Sequence, residues 1–397
     1  MSVNLALRTR WRLCDSLCIT GRLSRITTLR SFKRRELHAL RRPTTPSQLR
    51  TWPGKRLVAR PRYRDFGIVS LPAVLVPPVV FVGLLVALWM WKCLMMVVFQ
   101  DKIIYMPSMP PFARSEKVED FEKTCKPCVW RTEHIRSIDG TKIALCTGKI
   151  SEGIVELAHP VKHVVICYFQ GNGSSLPPRL PLLSNVLKLT KARSPQDDMT
   201  GYTIVALSYR GYWTSSGRAR QSGIELDAQA LLSYVRTHWA SHDTRLILWG
   251  QSIGSGVATT AAARYMSQAE HNAPRVSSLI LETPFVSIVS MLTALYPQKW
   301  LPYRYLWPFL WNWWDSEKAL KAIAQSGNTL PNVLVLPGTR DEVVPPEAAD
   351  QLEALCNNLG FPTERRNIEG ALHHEVSSRR DGQAAIARFI VETSHSN

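Results

Sequence analysis

The sequence predicts an α/β fold built on a mostly parallel, doubly wound sheet. Short apolar runs, rich in leucine and β-branched residues, alternate with segments of helical periodicity. This alternation is typical of a parallel sheet with helices on both faces, and the runs are apolar all round, as central parallel strands are. Because ligands bind at the carboxyl ends of the strands in such sheets, the residues after each run are the first candidates for a functional site.

Five runs predict central strands, over 164–169, 203–208, 245–249, 278–282 and 332–336. Helices are predicted over 221–239, 255–267 and 346–358. Residues 129–149 form a predicted hairpin ahead of them, because Asp139-Gly140 between two strand-like runs is a strong turn signal. A chain of 397 residues can bury a substantial core, so one large domain is expected over 101–397.

The N-terminal arm carries most of the net charge. Residues 1–67 hold 17 Lys and Arg against three acids, whereas the other 330 residues hold 32 basic and 28 acidic groups. Such an arm is predicted to be disordered or to act as a targeting signal, and its Arg-rich composition is also typical of a mitochondrial presequence. It has no sign of a nucleic-acid-binding fold, so nucleic acid is not an expected partner.

An uncharged run after the arm predicts one transmembrane anchor within 68–100. Residues 66–91 have no charged side chain and as a helix would extend roughly 39 Å, against about 30 Å of hydrocarbon. The regular helix is expected to start near Pro77 or Pro78, since proline suits the first helical turn. An aromatic and basic belt, typical of a membrane interface, follows at Trp89, Trp91 and Lys92.

The position of the basic arm predicts the topology of the chain. Basic flanks of a membrane span stay in the cytoplasm, so the N-terminus is expected there and residues 101–397 on the lumenal side. The endoplasmic reticulum is the expected compartment, with a mitochondrial membrane as the alternative. The bilayer is thus an expected partner, while the oligomeric state is not set by the sequence.

Ser252 is the candidate nucleophile. It is the middle residue of a G-x-S-x-G pentapeptide, Gly250 to Gly254, between the predicted strand 245–249 and the small-residue helix 255–267. A tight strand-to-helix turn exposes the serine hydroxyl at the helix N-terminus. A nucleophilic serine also requires a base and an orienting acid, which in this fold class follow in the order serine, acid, histidine.

Asp341 and His373 have the positions expected for that acid and base. Asp341 comes a few residues after the last predicted strand, with Glu342 as the neighbouring alternative. His373 and His374 follow a glycine ahead of a final helix, and the spacing from that glycine favours His373 while His374 stays open. We therefore predict a catalytic triad of Ser252, His373 and Asp341.

Backbone N–H groups are expected to stabilise the oxyanion that forms during acyl transfer. Ile253, just after the serine, supplies one donor, and Gly171 or Asn172, after the first central strand, supplies the other. No metal or organic cofactor is required. Cys125 and Cys128 form a lone C-x-x-C without the second pair of a zinc site, so a local disulfide and two unpaired thiols both stay open.

The insertion 284–325 is rich in aromatic residues. Nine aromatics fall within the 19 residues 296–314, and five of the 13 Trp of the chain lie between 300 and 314. On a helix, Trp307, Trp311 and Trp314 would share one face, but Phe309 and Trp313 would cover another, so the element would be apolar all round. A lid over the catalytic pocket is predicted, with Trp307, Trp311 and Trp213 as substrate-contacting residues, and ordinary core packing is the alternative.

These motifs resemble those of membrane-anchored α/β-hydrolase-domain proteins, a group that includes the lysophosphatidylserine lipase, protein depalmitoylases and fungal bud-emergence-type hydrolases. The resemblance covers about residues 100–393 and rests on I-I-Y-M-P from Ile103, S-Y-R-G-Y from Ser208, G-Q-S-I-G-S-G from Gly250, G-T-R-D-E-V-V-P from Gly338 and G-A-L-H-H-E from Gly370. This chain departs from the group at Gln170, where His is usual, and at Trp213, where Gly is usual.

The resemblance implies an α/β-hydrolase fold and a serine hydrolase that acts on ester or thioester bonds of lipid-like substrates. It also implies triad positions at Ser252, Asp341 and His373. Acylglycerol or lysophospholipid esters are the expected substrates. A protein S-depalmitoylating thioesterase is the alternative, although palmitoylated cysteines face the cytosol and the domain is predicted to be lumenal. A non-catalytic hydrolase-fold scaffold is the remaining alternative.

Overall fold

The computed structural model describes residues 72–151, 162–195, 199–239, 243–268 and 273–395. All of them belong to one compact unit, Leu71–Asn397. The predicted arm, residues 1–67, lies outside the described residues, so its disorder or targeting role stays a prediction.

Eight strands form one sheet within the described residues. They are β1 (Cys128–Arg136), β2 (Lys142–Ile150), β3 (Lys162–Phe169), β4 (Thr200–Ser208), β5 (Thr244–Gln251), β6 (Arg275–Glu282), β7 (Asn332–Leu336) and β8 (Thr363–Arg365). Their order is β1-β2-β4-β3-β5-β6-β7-β8. The pairs β1–β2 and β2–β4 are antiparallel, and every pair from β4 to β8 is parallel. The predicted hairpin is therefore the antiparallel edge of a parallel sheet.

The same part of the chain contains ten α-helices. They are α1 (Val76–Val98), α2 (Gln100–Tyr105), α3 (Glu122–Cys125), α4 (Leu180–Arg193), α5 (Gln221–His238), α6 (Ile253–Ser267), α7 (Ile288–Leu295), α8 (Ser316–Gln325), α9 (Pro346–Asn358) and α10 (Arg380–His395). Side chains of α5, α6, α8 and α9 fill one hydrophobic cluster, and those of α4 and α10 fill another. The two clusters lie on the two faces of the sheet, because successive strand residues point to opposite faces.

The predicted doubly wound, mostly parallel sheet is confirmed. All five predicted central strands are present, and the second and fourth of them start three residues earlier than expected, at Thr200 and Arg275. The helix predicted over 346–358 has those bounds, and the one predicted over 255–267 starts two residues earlier, at Ile253. The helix α4 was not predicted.

The apolar run forms the helix α1. Together with one turn of 3-10 helix ahead of it, α1 forms a continuous apolar helix, Ala73–Val98, whose most apolar part has no buried residue. It is the one helix of the described chain that is long and apolar enough to cross a membrane. Prolines occupy the first turn of α1, as predicted, at Pro77 and Pro78.

The aromatic stretch 296–314, which we call the aromatic segment, is not an α-helix. It contains two single turns of 3-10 helix, Pro302–Tyr305 and Trp307–Phe309, each with a proline in its first positions. A proline removes a backbone donor and obstructs the preceding turn, so a regular helix cannot run through this stretch. The helical arrangement considered for Trp307, Trp311 and Trp314 therefore does not occur.

Candidate active site

Ser252 lies on a strained turn between β5 and α6. Its φ of 53° is in the left-handed region, which is costly for a residue with a side chain, and it precedes the first residue of α6. The turn is tight because Gly250 and Gly254 have no side chain: a Cβ on Gly250 would lie 2.1 Å from the carbonyl oxygen of Gly254, and one on Gly254 would lie 2.1 Å from that of Phe169. The elbow predicted from the pentapeptide thus has the expected geometry.

Ser252, His373 and Asp341 form one hydrogen-bonded chain. The Nε2 atom of His373 is 2.8 Å from the Oγ atom of Ser252, and its Nδ1 atom is 2.8 Å from Oδ2 and 3.1 Å from Oδ1 of Asp341. The side chains of His373 and Asp341 are 10% and 7% exposed. Three residues separated by as much as 121 positions therefore meet at the carboxyl edge of the sheet.

Backbone contacts fix the acid and the base. The Oδ1 atom of Asp341 accepts hydrogen bonds from the backbone N–H groups of Val343 and Val344, both at 2.8 Å. The backbone N–H of His373 donates to Oε2 of Glu342 at 3.0 Å. Glu342 therefore supports the loop that carries the histidine, while Asp341 orients its ring.

The two neighbouring alternatives lie away from the serine. The side chains of His374 and Glu342 are 62% and 48% exposed, and the Nδ1 atom of His374 is 4.0 Å from Oε1 of Glu342. The structure thus places His373 and Asp341 beside Ser252 and places His374 and Glu342 at the surface.

The predicted oxyanion donors lie on both sides of Ser252. Ile253 opens α6, and the first N–H groups of a helix have no acceptor within the helix. A Cβ on Gly171 would lie 3.6 Å from that of Ser252, so this loop passes directly beside the serine. Asn172 is exposed, and the N–H of Gly173 donates to the carbonyl oxygen of Tyr105 at 2.9 Å. Ile253 and Gly171 or Asn172 remain the candidates.

Tyr105 was not predicted as a site residue, although it lies in one of the motifs that carry the resemblance. It is fully buried, its carbonyl oxygen also accepts a hydrogen bond from the hydroxyl of Tyr212, and its own hydroxyl donates to Oδ1 of Asn312 at 2.8 Å. The same hydroxyl accepts from Nε1 of Trp314 at 2.8 Å. Burial raises the pKa of Tyr105 well above its ordinary value, so the hydroxyl stays neutral and serves both bonds.

A buried carboxylate behind Ser252 was also missed. Glu282, at the end of β6, is fully buried and accepts hydrogen bonds from Nε1 of Trp249, Nε2 of Gln251 and the backbone N–H and hydroxyl of Ser377, at 2.6 to 3.1 Å. Its carbonyl oxygen accepts from the N–H of Ser252 at 2.8 Å. Glu282 thus links the serine turn to the segment that follows His373. No sequence motif marks such a residue, since strand ends often carry acids.

The three tryptophans predicted to contact substrate have different surroundings. Trp213 is 4% exposed, and its indole N–H donates to the carbonyl oxygen of Glu116 at 2.7 Å, so its ring is part of the core packing. Trp307 and Trp311 are 46% and 39% exposed. Contact of these three with a substrate stays a prediction, as does the lid.

Cysteine and metal chemistry have little support among the described residues. Cys125 and Cys128 are buried free thiols, and burial raises the pKa of both. Within the described ranges, no group of three or more His, Cys, Asp or Glu side chains is placed to hold a metal ion.

Comparisons with known proteins identify the class of fold. Residues 165–312 match the family described as alpha/beta hydrolase fold. The crystal structure of an alpha-beta hydrolase from Vibrio vulnificus is similar with a TM-score of 0.54 at 20% sequence identity, over 74% of this chain and 92% of that chain. The chain has the α/β-hydrolase fold.

Relatives with similar sequences include proteins of the group that the motifs resemble. Protein bem46 of Schizosaccharomyces pombe is 30% identical over 199 residues, 50% of this chain and 58% of that protein. Lysophosphatidylserine lipase ABHD12 of Danio rerio is 29% identical over 198 residues, 49% of this chain and 47% of that protein. The chain spans about half the length of these relatives. Its predicted resemblance to this group of α/β-hydrolase-domain proteins is confirmed.

Proposed function

We propose that the protein is a membrane-anchored serine hydrolase that cleaves carboxylic ester bonds of lipid-like substrates. The observation that carries the proposal is the continuous hydrogen-bonded chain from Ser252 through His373 to Asp341, with 2.8 Å at both links. In a serine hydrolase this order provides a nucleophile, a general base and the acid that holds the base in its reactive tautomer.

The proposed reaction proceeds in two halves. Ser252 Oγ attacks the ester carbonyl carbon while His373 Nε2 takes the hydroxyl proton, and Asp341 stabilises the imidazolium through Nδ1–H. The N–H of Ile253 and that of Gly171 or Asn172 stabilise the oxyanion. His373 then gives its proton to the leaving alcohol, and a water molecule hydrolyses the acyl-enzyme by the same sequence of proton transfers.

Lipid esters are the substrates that the surroundings of the site favour. The apolar helix α1 brings the domain to a bilayer, and the aromatic segment offers a large exposed apolar surface. A relative named as a lysophosphatidylserine lipase supports the same class. Acylglycerols and lysophospholipids, which combine an acyl ester with membrane solubility, are therefore the proposed substrates.

Covalent labelling tests the nucleophile. A fluorophosphonate probe should label the full-length protein, and Ser252→Ala should abolish labelling because the attacking oxygen is gone. Ser255→Ala is the matched control: Ser255 lies three residues further along, and its hydroxyl donates instead to the carbonyl oxygen of Gly250 at 3.0 Å. Undiminished labelling of Ser252→Ala would refute the assignment.

We further propose that the N-terminus is cytoplasmic and that the hydrolase domain is lumenal, in the endoplasmic reticulum. The excess of 17 Lys and Arg over three acids in residues 1–67 supports this orientation. In intact microsomes, protease should remove the arm and spare the domain until detergent is added. Digestion of the domain without detergent would place it on the cytoplasmic side.

A further inference from the structure

Large aromatic side chains of the aromatic segment are exposed, although residues of this size usually lie in a core. Between 39% and 68% of the surface of each is exposed at Trp300, Tyr305, Trp307, Phe309, Trp311 and Trp313. Exposed apolar surface of this extent is usually covered by a partner or a membrane. The contacts of the aromatic segment indicate which of these it is.

One end of the aromatic segment lies against the membrane helix α1. The rings of Trp300 and Trp89 are 6.1 Å apart between centroids. The Nζ atom of Lys92 lies 4.7 Å from the centre of the Tyr303 ring. Residues 300–303 of the aromatic segment are therefore at the level of residues 89–92 of the helix.

That level corresponds to the edge of the hydrocarbon. About 20 helical residues cross the roughly 30 Å hydrocarbon layer, and from Ala73 this length ends near Lys92. Lys92 carries the one charged side chain of Ala73–Val98. Because a lysine ammonium and neighbouring indoles are most stable at the headgroup boundary, α1 leaves the hydrocarbon at this point.

The other end of the aromatic segment lies further from the bilayer. Val98 is six residues past Lys92, or about 9 Å along the helix axis, and Gln100 and Asp101 follow it. The Nε2 atom of Gln100 donates to the carbonyl oxygen of Phe309 at 3.1 Å, and Nε1 of Trp311 donates to Oδ1 of Asp101 at 2.8 Å. The segment therefore runs from the headgroup level at residue 300 towards the body of the domain.

The charge of the aromatic segment suits phospholipid headgroups. It contains two cationic residues, Lys299 and Arg304, and no acidic residue. Both cations lie in the half of the segment that contacts the membrane helix. Cationic side chains beside exposed indoles and phenols are typical of surfaces that bind the phosphate and glycerol region of a bilayer.

We propose that residues 299–305 lie in the headgroup region of the leaflet from which α1 emerges, with phospholipids as the occupants of their exposed face. The proposal rests on the membrane anchor of the proposed function but not on the catalytic roles. At its far end the aromatic segment reaches α6, the helix that follows Ser252. A Cβ on Gly256 in this helix would lie 2.9 Å from the Cβ of Trp314. The bilayer surface and the first turn of α6 are thus joined by one short stretch of chain.

Depth-dependent fluorescence quenching tests the proposal in the full-length protein, reconstituted in phosphatidylcholine vesicles. An environment-sensitive fluorophore is attached through Trp300→Cys, and the vesicles contain lipids with a nitroxide near the headgroup or deep in the acyl chain. Leu84→Cys, inside α1, is the reference for membrane insertion. Ile138→Cys, 62% exposed on the turn after β1, is the matched control. The unsubstituted chain, labelled in parallel, gives the background of the native cysteines.

The label at 300 should lose fluorescence mainly to the shallow nitroxide and the label at 84 mainly to the deep one, while the label at 138 should lose none. A label introduced by Trp311→Cys should be quenched less than the one at 300. Tyr305→Cys replaces Trp300→Cys if that variant does not fold.

Two results would overturn the proposal without touching the anchor. With quenching at 84 intact, a label at 300 that behaves like the one at 138 places the aromatic segment in water. A label at 300 that is shielded from both nitroxide lipids and aqueous iodide is covered by protein. Loss of quenching at 84 itself would refute the membrane anchor, whereas the fluorophosphonate experiment tests the hydrolase independently.

Discussion

The serine turn and the aromatic segment lie next to each other, yet different contacts hold them in place. Within the turn that carries Ser252, several contacts are near in sequence: the hydroxyl of Ser255 donates to the carbonyl of Gly250, and Gly254 fits closely against Gly250. In the aromatic segment the partners come from far away, as in the hydrogen bond from Trp314 to Tyr105, 209 residues apart. A local motif can specify the shape of the turn, whereas the aromatic segment depends on the whole fold.

The largest effect is expected at the serine turn. His373→Ala removes the base and should lower kcat for a soluble ester by about 10⁴-fold or more. His374→Ala is the matched control and should leave kcat unchanged, because His374 is exposed and its ring lies 4.0 Å from Glu342. Steady-state kinetics measures both variants. Equal losses would mean that the local motif does not fix which histidine is the base.

A second test concerns an ion pair at the carboxyl edge of the sheet, outside the turn that carries Ser252. Arg210, just after β4, bonds Oδ1 of the fully buried Asp227 at 2.7 Å. Arg210→Ala leaves that carboxylate without its cation, so the free energy of unfolding should fall by about 3–5 kcal/mol in denaturant titrations. Arg366→Ala removes an exposed ion pair with Glu364 and should cost less than about 1 kcal/mol. Similar losses of unfolding free energy in the two variants would show that the buried ion pair of Arg210 stabilises the fold no more than an exposed one.

A third test sharpens the comparison where the two regions meet. Tyr105→Phe keeps the carbonyl that holds Gly173 but removes the hydroxyl that accepts from the buried Trp314 indole, which should cost about 1–3 kcal/mol of unfolding free energy. Tyr305→Phe removes an exposed hydroxyl that is bonded to the carbonyl of Lys299. It should change the free energy of unfolding by less than about 0.5 kcal/mol. If Tyr105→Phe lowered the free energy of unfolding no more than Tyr305→Phe does, the aromatic segment would be held mainly by other contacts.

The smallest effect is expected from pH. The Arg210 guanidinium, hydrogen-bonded to Asp139, holds the pKa of that carboxyl well below its usual range. A carboxyl whose pKa is lower in the folded protein than in the unfolded chain stabilises the fold at pH values above its unfolded pKa of about 4. This contribution is lost as the pH falls below that value. The difference in unfolding free energy between the unsubstituted protein and Asp139→Asn should therefore shrink from pH 7 to pH 3. If the difference in unfolding free energy instead grew towards pH 3, the pKa of Asp139 would not be lowered in the folded protein.

The sequence was enough to predict the parallel sheet and the positions of Ser252, Asp341 and His373, because each depends on a strand and the few residues after it. It was not enough for Glu282 or for the hydroxyl of Tyr105. Their contacts are made with residues distant in sequence, and no periodicity or motif marks them. Prolines inside the aromatic segment interrupt any regular helix there, and the aromatic pattern alone does not predict which of its side chains are buried.

The hydrogen bond from Gly173 to the carbonyl of Tyr105 has a consequence for proteolytic release. The loop beside Ser252 is tethered to α2, the short helix that follows α1, so the chain just after the proposed anchor also holds the loop in place. A protease that cleaved after residue 110 would shed a domain without the tether. If the proposed function holds, such shedding should lower ester hydrolysis, whereas cleavage ahead of Gln100 would leave the contact between Gly173 and Tyr105 in place.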